Sequence, residues 1–183
     1  IADIRKSIGI VSQEIYIFKG TVAENIAYAK PGCTKAEIVR AAVCANAHDF
    51  ICRLTDGYDT VIGLGGHALS GGARQRISIA RATLADPTVL ILDEATASVD
   101  TKTELAINAA IEKLSKGKTV ISIAHRLSTL KGADKLIVIE DGKVSEEGTH
   151  SELAAKKDGI YQKLLQIQSK ALALRGIEYD GAN

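Results

Sequence analysis

Val89-Leu90-Ile91-Leu92-Asp93-Glu94 is an apolar run that ends in two adjacent acids. The run from Thr88 to Leu92 is apolar on both faces and short, which reads as a strand buried within a sheet. Working outward, Thr119 to Ile123 and Leu136 to Ile139 are two more such runs. Between the first two lies a helical pattern from Lys102 to Lys116, with Ile107, Ala110, Ile111 and Leu114 on one stripe. Buried strands alternating with helices predict an α/β fold around a mostly parallel sheet covered on both sides. Asp93 and Glu94 then fall at the C-terminal edge of a strand, where open α/β sheets bind ligands.

Upstream, Ile8 to Ser12 is a β-branched run suited to another strand. Thr21-x-x-Glu24 and Thr34-x-x-Glu37 are capping-box patterns. The first opens a short helix to Ala29, stopped by Pro31. The second opens a helix that buries Ile38, Ala41, Ala42 and Ala45. Asp56 to Gly72 is rich in Gly and turn formers and reads as loop. Ala73 to Leu84 reads as a helix with Ile77, Ala80, Ala82 and Leu84 inward. Downstream, Asp141-Gly142 turns Leu136–Ile139 into a hairpin with Lys143 to Glu147. Helices near Ser151 to Lys156 and Gly159 to Leu174 follow, then a weakly ordered tail, Arg175 to Asn183. A helix-rich first part joins an α/β second part without a Pro/Ser-rich linker, as two subdomains of one unit.

Composition bounds the function. The 183 residues are 46% hydrophobic and 25% charged, enough for a sizeable core without staples. Lys plus Arg number 23 against 22 for Asp plus Glu, a balance that argues against a dedicated nucleic-acid binder. No stretch reaches 18 apolar residues, so no membrane-spanning helix is predicted, and no signal-peptide pattern occurs. Cys33, Cys44 and Cys52 are odd in number and form no C-x-x-C, so reduced thiols are expected rather than disulfides or a zinc site. The sequence has no Met and begins with Ile1, which predicts an internal or C-terminal piece of a longer protein.

The chemistry-bearing residues follow from these placements. Asp93 suits Mg²⁺, and Glu94 suits polarising a water for attack on phosphorus; a strand ending in solvated acids is the alternative. Ser70-Gly71-Gly72 opens a helix whose first N–H groups and dipole favour an anionic phosphate, or it is simply a Gly-rich N-cap. Gln13 and His125 follow strands at the same kind of edge, where each is either structural or turned toward a metal, water or phosphate oxygen. Asp100 is equally suited to capping the helix after it.

In order, these motifs resemble the nucleotide-binding domain of ATP-binding cassette (ABC) transporters over about residues 3 to 168. Ile8-Gly9-Ile10-Val11-Ser12-Gln13 is similar to the Q-loop, and Leu69-Ser70-Gly71-Gly72-Ala73 to the signature. Val89 to Glu94 resembles Walker B, Ala97-Ser98-Val99-Asp100 the D-loop, and Ile123-Ala124-His125-Arg126 the switch-histidine loop. Phe18-Lys19-Gly20-Thr21-Val22, Asn25-Ile26 and Asp59-Thr60-Val61-Ile62-Gly63 further resemble the exporter branch.

The resemblance implies a partial P-loop NTPase (RecA-like) core carrying an inserted α-helical signature subdomain. Residues 1–19 would be core strand and Q-loop, 20–86 the helical subdomain, 87–174 the α/β core and 175–183 a tail. It implies ATP with Mg²⁺, a second nucleotide-binding domain stacked head to tail, and transmembrane partners at the cytoplasmic face of a membrane. Ser70, Gly71 and Gly72 would bind the γ-phosphate held by that second domain. Asp93 and Gln13 would serve Mg²⁺, Glu94 would be general base, His125 would steady γ-phosphate and water, and Asp100 would lie in the D-loop. Residues 14–25 and 58–66 would dock the membrane domains.

Several features depart from the family pattern. No G-x-x-x-x-G-K-[ST] occurs, so the Walker A loop and the strand leading to it are expected upstream of Ile1, that strand beside the Walker B strand. The isolated polypeptide is therefore expected not to hydrolyse ATP; the alternative reading is a non-catalytic module that lends its signature in trans to a Walker A-bearing partner. Ala73 replaces the usual signature Gln, and Leu64 stands where many exporters carry Glu. DNA-repair ABC ATPases, another reading, carry coiled-coil insertions before the signature, whereas Glu14 to Ala68 has no heptads.

Overall fold

The computed structural model describes residues 7–93, 101–124 and 127–173. Two compact units divide at Ile123/Ala124 and are described separately. The first is built on strands β1 (Ile8–Val11), β4 (Val89–Asp93) and β5 (Thr119–Ile123), all parallel, in the order β1-β4-β5. Register pairs Val11 with Leu92 and Asp93 with Ile123, so the C-terminal ends of all three lie on one edge. A two-stranded antiparallel ladder, β2 (Gly20–Thr21) with β3 (Val61–Ile62), stands apart from this sheet.

Five helices among the described residues belong to this unit: α1 (Val22–Ala27), α2 (Lys35–Cys44), α3 (His48–Cys52), α4 (Gly71–Ala85) and α5 (Thr101–Ser115). Both expected capping boxes form. Thr21 and Thr34 accept from the N–H groups of Glu24 and Glu37, whose carboxylates accept back from the threonine N–H groups at 2.7 Å. The predicted inward faces are buried: Ile38, Ala41, Ala42 and Ala45, then Ile77, Ala80, Ala82 and Leu84, then Ile107, Ala110 and Leu114, with Ile111 only partly so. Together with Val11, Leu90 and Leu92 they form one core. Gly9 is required in β1, since a Cβ there would sit 2.5 Å from the Pro87 ring.

Three expectations need correction. The stretch Asp56 to Gly72 is not all loop: it holds a 3₁₀ turn, Gly57–Asp59, and β3, and α4 starts at Gly71. Two-residue strands carry no period, which is why pattern reading misses them. Next, β4 is hydrogen-bonded on both flanks, so no slot for another strand lies beside the Walker B strand. The free edges belong to β1 and β5 among the described strands. Last, β5 is not covered on both sides, because every residue of it is exposed, with Ile121 and Ile123 more than half so.

In the second unit Leu136–Glu140 (β6) pairs antiparallel with Lys143–Gly148 (β7), and among the described residues it joins no parallel sheet. Asp141 and Gly142, with φ of 49° and 73°, make the two-residue turn that closes this hairpin. So short a closure costs little entropy, which favours the local partner. Helices α6 (His150–Ala155) and α7 (Ile160–Ala173) follow, packing Leu153 and Tyr161 with Leu127 and Leu136. Glu146 on β7 is buried and accepts from the N–H groups of Ile160 and Tyr161 at the start of α7 while pairing with Lys156.

Capping makes part of the stability acid-labile. Bonds from the Lys30 ammonium and from Thr34 hold the Glu37 carboxyl down to about 2, against an ordinary 4.5. The folded chain takes up that proton less readily than the unfolded chain does. Glu37's contribution is therefore complete above about pH 4.5 and is lost as pH falls toward about 2. Urea unfolding of wild type and Glu37→Gln should differ clearly at pH 7 and converge by pH 2; a constant difference would contradict this.

Candidate functional site at the sheet edge and the α4 N-terminus

β4 delivers Asp93 as its last residue, half-buried, at the common C-terminal edge. Among the described residues it makes no ion pair. Gln13 lies two residues beyond the end of the neighbouring parallel strand β1 and is exposed. The fold thus brings both to one edge. Glu94, Asp100 and His125 lie outside the described residues.

The two oxygen-bearing side chains match what Mg²⁺ takes from a protein when phosphates complete its shell: one carboxylate and few other ligands. No group of three or more His, Cys, Asp or Glu among the described residues makes an all-protein cation cage.

Ser70 is the N-cap of α4: its Oγ accepts from the Ala73 N–H at 3.2 Å. Ser70 and Gly71 are exposed, and a Cβ on Gly71 would meet nothing within 4 Å. The first-turn N–H groups of Gly71 and Gly72 have no intrahelical acceptor and point out of the helix end. The cap and the anion-binding readings are therefore compatible, since the Ser70 hydroxyl accepts from the helix and keeps its proton to donate. Behind this turn Gln75 is buried, and its Nε2 finds no partner among the described residues.

Residues 14–25 and 58–66 are brought together by the β2–β3 ladder. Gly63, at φ 88°, lets the backbone of Phe18 approach so closely that a Cβ would sit 2.6 Å from its carbonyl oxygen. Tyr16, Val61 and Leu64 are exposed on these stretches, Leu64 at 87%. Holding them to α4 is Arg81, a residue that sequence reading passed over. Its Nε donates to the Asn25 carbonyl at 2.9 Å and its Nη1 to the Tyr16 carbonyl at 3.3 Å. Its guanidinium stacks over the Phe18 and Tyr28 rings, at 5.6 and 5.9 Å. Burial pulls its pKa below the usual guanidinium value. Asn25, fully buried, completes the link by donating to the Phe18 and Thr21 carbonyls. A fully buried Asn between Val22 and Ile26 is the one sequence signal that marks this knot.

Arg81→Ala should lower stability by about 1–3 kcal/mol, because the part-buried Asn25 carbonyl loses a charged donor and the Phe18 and Tyr28 rings lose their stacking partner. Arg81→Lys should recover only part, since an ammonium cannot reproduce the fork or the stacking. Urea unfolding checks both; a loss under about 0.5 kcal/mol for Ala, the usual size of a surface change, would contradict this role.

Residues 1–97 match the family model described as "ABC transporter". The chain is 54% identical over 167 residues to the ATP-dependent lipid A-core flippase of Syntrophus aciditrophicus (strain SB), covering 91% of this chain and 28% of that protein. It is 49% identical to ABC transporter B family member 19 of Arabidopsis thaliana, over 91% of this chain and 13% of that one. A solved structure, a bacterial Atm1-family ABC exporter with ATP bound, superposes with a TM-score of 0.82 at 39% identity, over 98% of this chain and 30% of that chain. The chain thus spans under a third of the length of these relatives. With the parallel α/β core and the ordered motifs, these matches show that the chain belongs to the ABC transporter family, as part of a nucleotide-binding domain with the P-loop NTPase fold in its exporter branch.

Proposed function

We propose that this chain is the signature- and Walker B-bearing part of an ATPase that drives export across a membrane, working at the cytoplasmic face. The placement of Asp93 and Gln13 on one sheet edge, from which the chain runs on into Glu94, carries the reading. Residues 1–19 and 87–174 would form the catalytic core, 20–86 the helical subdomain, and 175–183 a tail.

Asp93 and Gln13 would hold Mg²⁺, which when bound supplies charge neutralisation at the phosphate oxygens. Glu94 would accept the proton of the attacking water, and His125 would donate to the γ-phosphate. Asp100 would lie where two domains meet. The Ser70 hydroxyl and the N–H groups of Gly71 and Gly72 would bind the γ-phosphate of ATP held by a second domain, stacked head to tail. The exposure of Ser70 and Gly71 supports their part in this, while Gly72 beside them is buried. The joined stretches 14–25 and 58–66 would dock the membrane domains, with exposed Tyr16 and Leu64 as apolar contacts.

Among the described residues no helix is long and apolar enough to cross a membrane, so the membrane-spanning part is proposed from the relatives alone. The strand leading into the Walker A loop would pair along the outer edge of β5, whose apolar residues are otherwise exposed on both faces.

The phosphate nest of G-x-x-x-x-G-K-[ST] is not in these residues. The 183-residue polypeptide should therefore neither hydrolyse MgATP nor bind it with micromolar affinity by calorimetry; micromolar binding would overturn this. A second reading, a module that only lends its signature, draws on the same exposed α4 start. Mixing the chain with an intact cassette broken at its own signature separates the two: restored hydrolysis, abolished by Ser70→Ala, favours the second.

A further inference from the structure

The Ser70 hydroxyl is free to donate outward only while its oxygen stays committed to the helix behind it, so whatever steadies that commitment tunes the α4 start. Ser70 Oγ accepts from the Ala73 N–H at 3.2 Å, the long end of the usual range. Ala73 brings no polar side chain to this turn, where the family pattern has Gln. The peptide group that carries the Ala73 N–H has the Gly72 carbonyl at its other end. That oxygen accepts from Arg76 Nε at 3.2 Å. A carbonyl oxygen has two lone pairs, so this bond adds to the one of the helix ladder.

Arg76 is itself held on two further sides. Its Nη1 donates to the Asn46 carbonyl at 3.1 Å, just past the end of α2. Its guanidinium lies over the Phe50 ring, 4.7 Å from the centroid. Asn46 in turn donates from Nδ2 to the Ala106 carbonyl of α5 at 2.7 Å. These bonds are part-buried, where a charged donor binds a carbonyl more strongly than in open water.

We propose that Arg76 is a positioning residue for the anion site at the α4 start, acting through the Gly72–Ala73 peptide group on the Ser70 hydroxyl. Hydrogen bonds run from Arg76 Nε to the Gly72 oxygen, from the Ala73 N–H to Ser70 Oγ, and from the Ser70 proton to a phosphate oxygen. A cationic donor on the carbonyl polarises the peptide group and makes the Ala73 N–H a stronger donor. Ser70 Oγ is then held as acceptor toward the helix, and its proton is turned outward. This role rests on the proposed phosphate site and adds to it the residue that sets Ser70.

The test titrates the isotope-labelled 183-residue chain with tripolyphosphate at pH 7 and reads the amide resonances of Gly71 and Gly72. Ser70→Ala should weaken binding about two- to tenfold, the worth of one hydrogen bond. Arg76→Lys, which keeps the charge and loses the fork, should weaken it by a similar factor. The double variant should bind no more weakly than Ser70→Ala alone, because Arg76 acts through the hydroxyl. Losses that multiply in the folded double variant, or unchanged affinity in folded Arg76→Lys, overturn the proposal and leave the phosphate site standing. No saturable shift at Gly71 and Gly72 in the unsubstituted chain overturns the phosphate site and this role with it. Without ligand, the Ala73 amide of the unsubstituted chain should exchange at least several-fold more slowly, relative to its intrinsic rate, than that of Gly72, which has no acceptor within the helix. Equal exchange overturns the proposal whether or not the variants fold.

Discussion

The hydrogen bonding of β4 on both flanks is the constraint from which the rest of the first unit follows. A strand paired on each side must be apolar on both faces and must end where its neighbours end. Val89 to Leu92 meet the first demand and Asp93 marks the second. Because β1 and β5 run parallel to it, the C-terminal ends of all three strands lie on the same edge. Gln13 and Asp93 share that edge through register, although 80 positions separate them in sequence. Asp93 needs no special loop to be placed; a buried strand places it.

The helical layer has a different organising point. α4 starts at the Ser70 cap, leads at its other end to β4, and carries Arg81 near its middle-to-last turns. Through Arg81 and Asn25 the helix holds the backbone from Tyr16 to Thr21, so a displacement of that segment bears on the helix that begins at Ser70. Arg76 ties the same helix to the end of α2 by donating to the Asn46 carbonyl, and it stacks on Phe50. Helices joined by part-buried charge-assisted hydrogen bonds transmit a shift better than loops do, which gives the proposed docking surface a physical route to the proposed signature.

Much of this was legible in the residues. The capping boxes at Thr21 and Thr34 fixed two helix starts, because reciprocal side-chain bonds are local and need no tertiary context. The stripes of α4 and α5 and the apolar runs of β4 and β5 gave the correct elements, since period and length suffice there. Pairing was less legible. Nothing in Leu136–Ile139 distinguishes a strand of the parallel sheet from a hairpin strand, and the turn at Asp141-Gly142 decided it. Sheet order was read wrongly for the flanks of β4, because order is a property of crossovers and not of any one run. Arg81 escaped notice since a cation inside a helix ordinarily reads as solvated surface. The placement of Gln13 and Asp93 at one sheet edge was anticipated from their positions after apolar runs, and the parallel register accounts for it.

Native-state amide hydrogen exchange resolved along β4 and β5 tests the central constraint most directly. The account predicts that the amides of Leu90, Ile91 and Leu92 exchange only through global unfolding, while amides on the open edge of β5 exchange at least several-fold faster. Fast exchange at Leu90 to Leu92, or protection along β5 equal to that of β4, would contradict a central β4 and with it the shared edge on which Asp93 and Gln13 are placed.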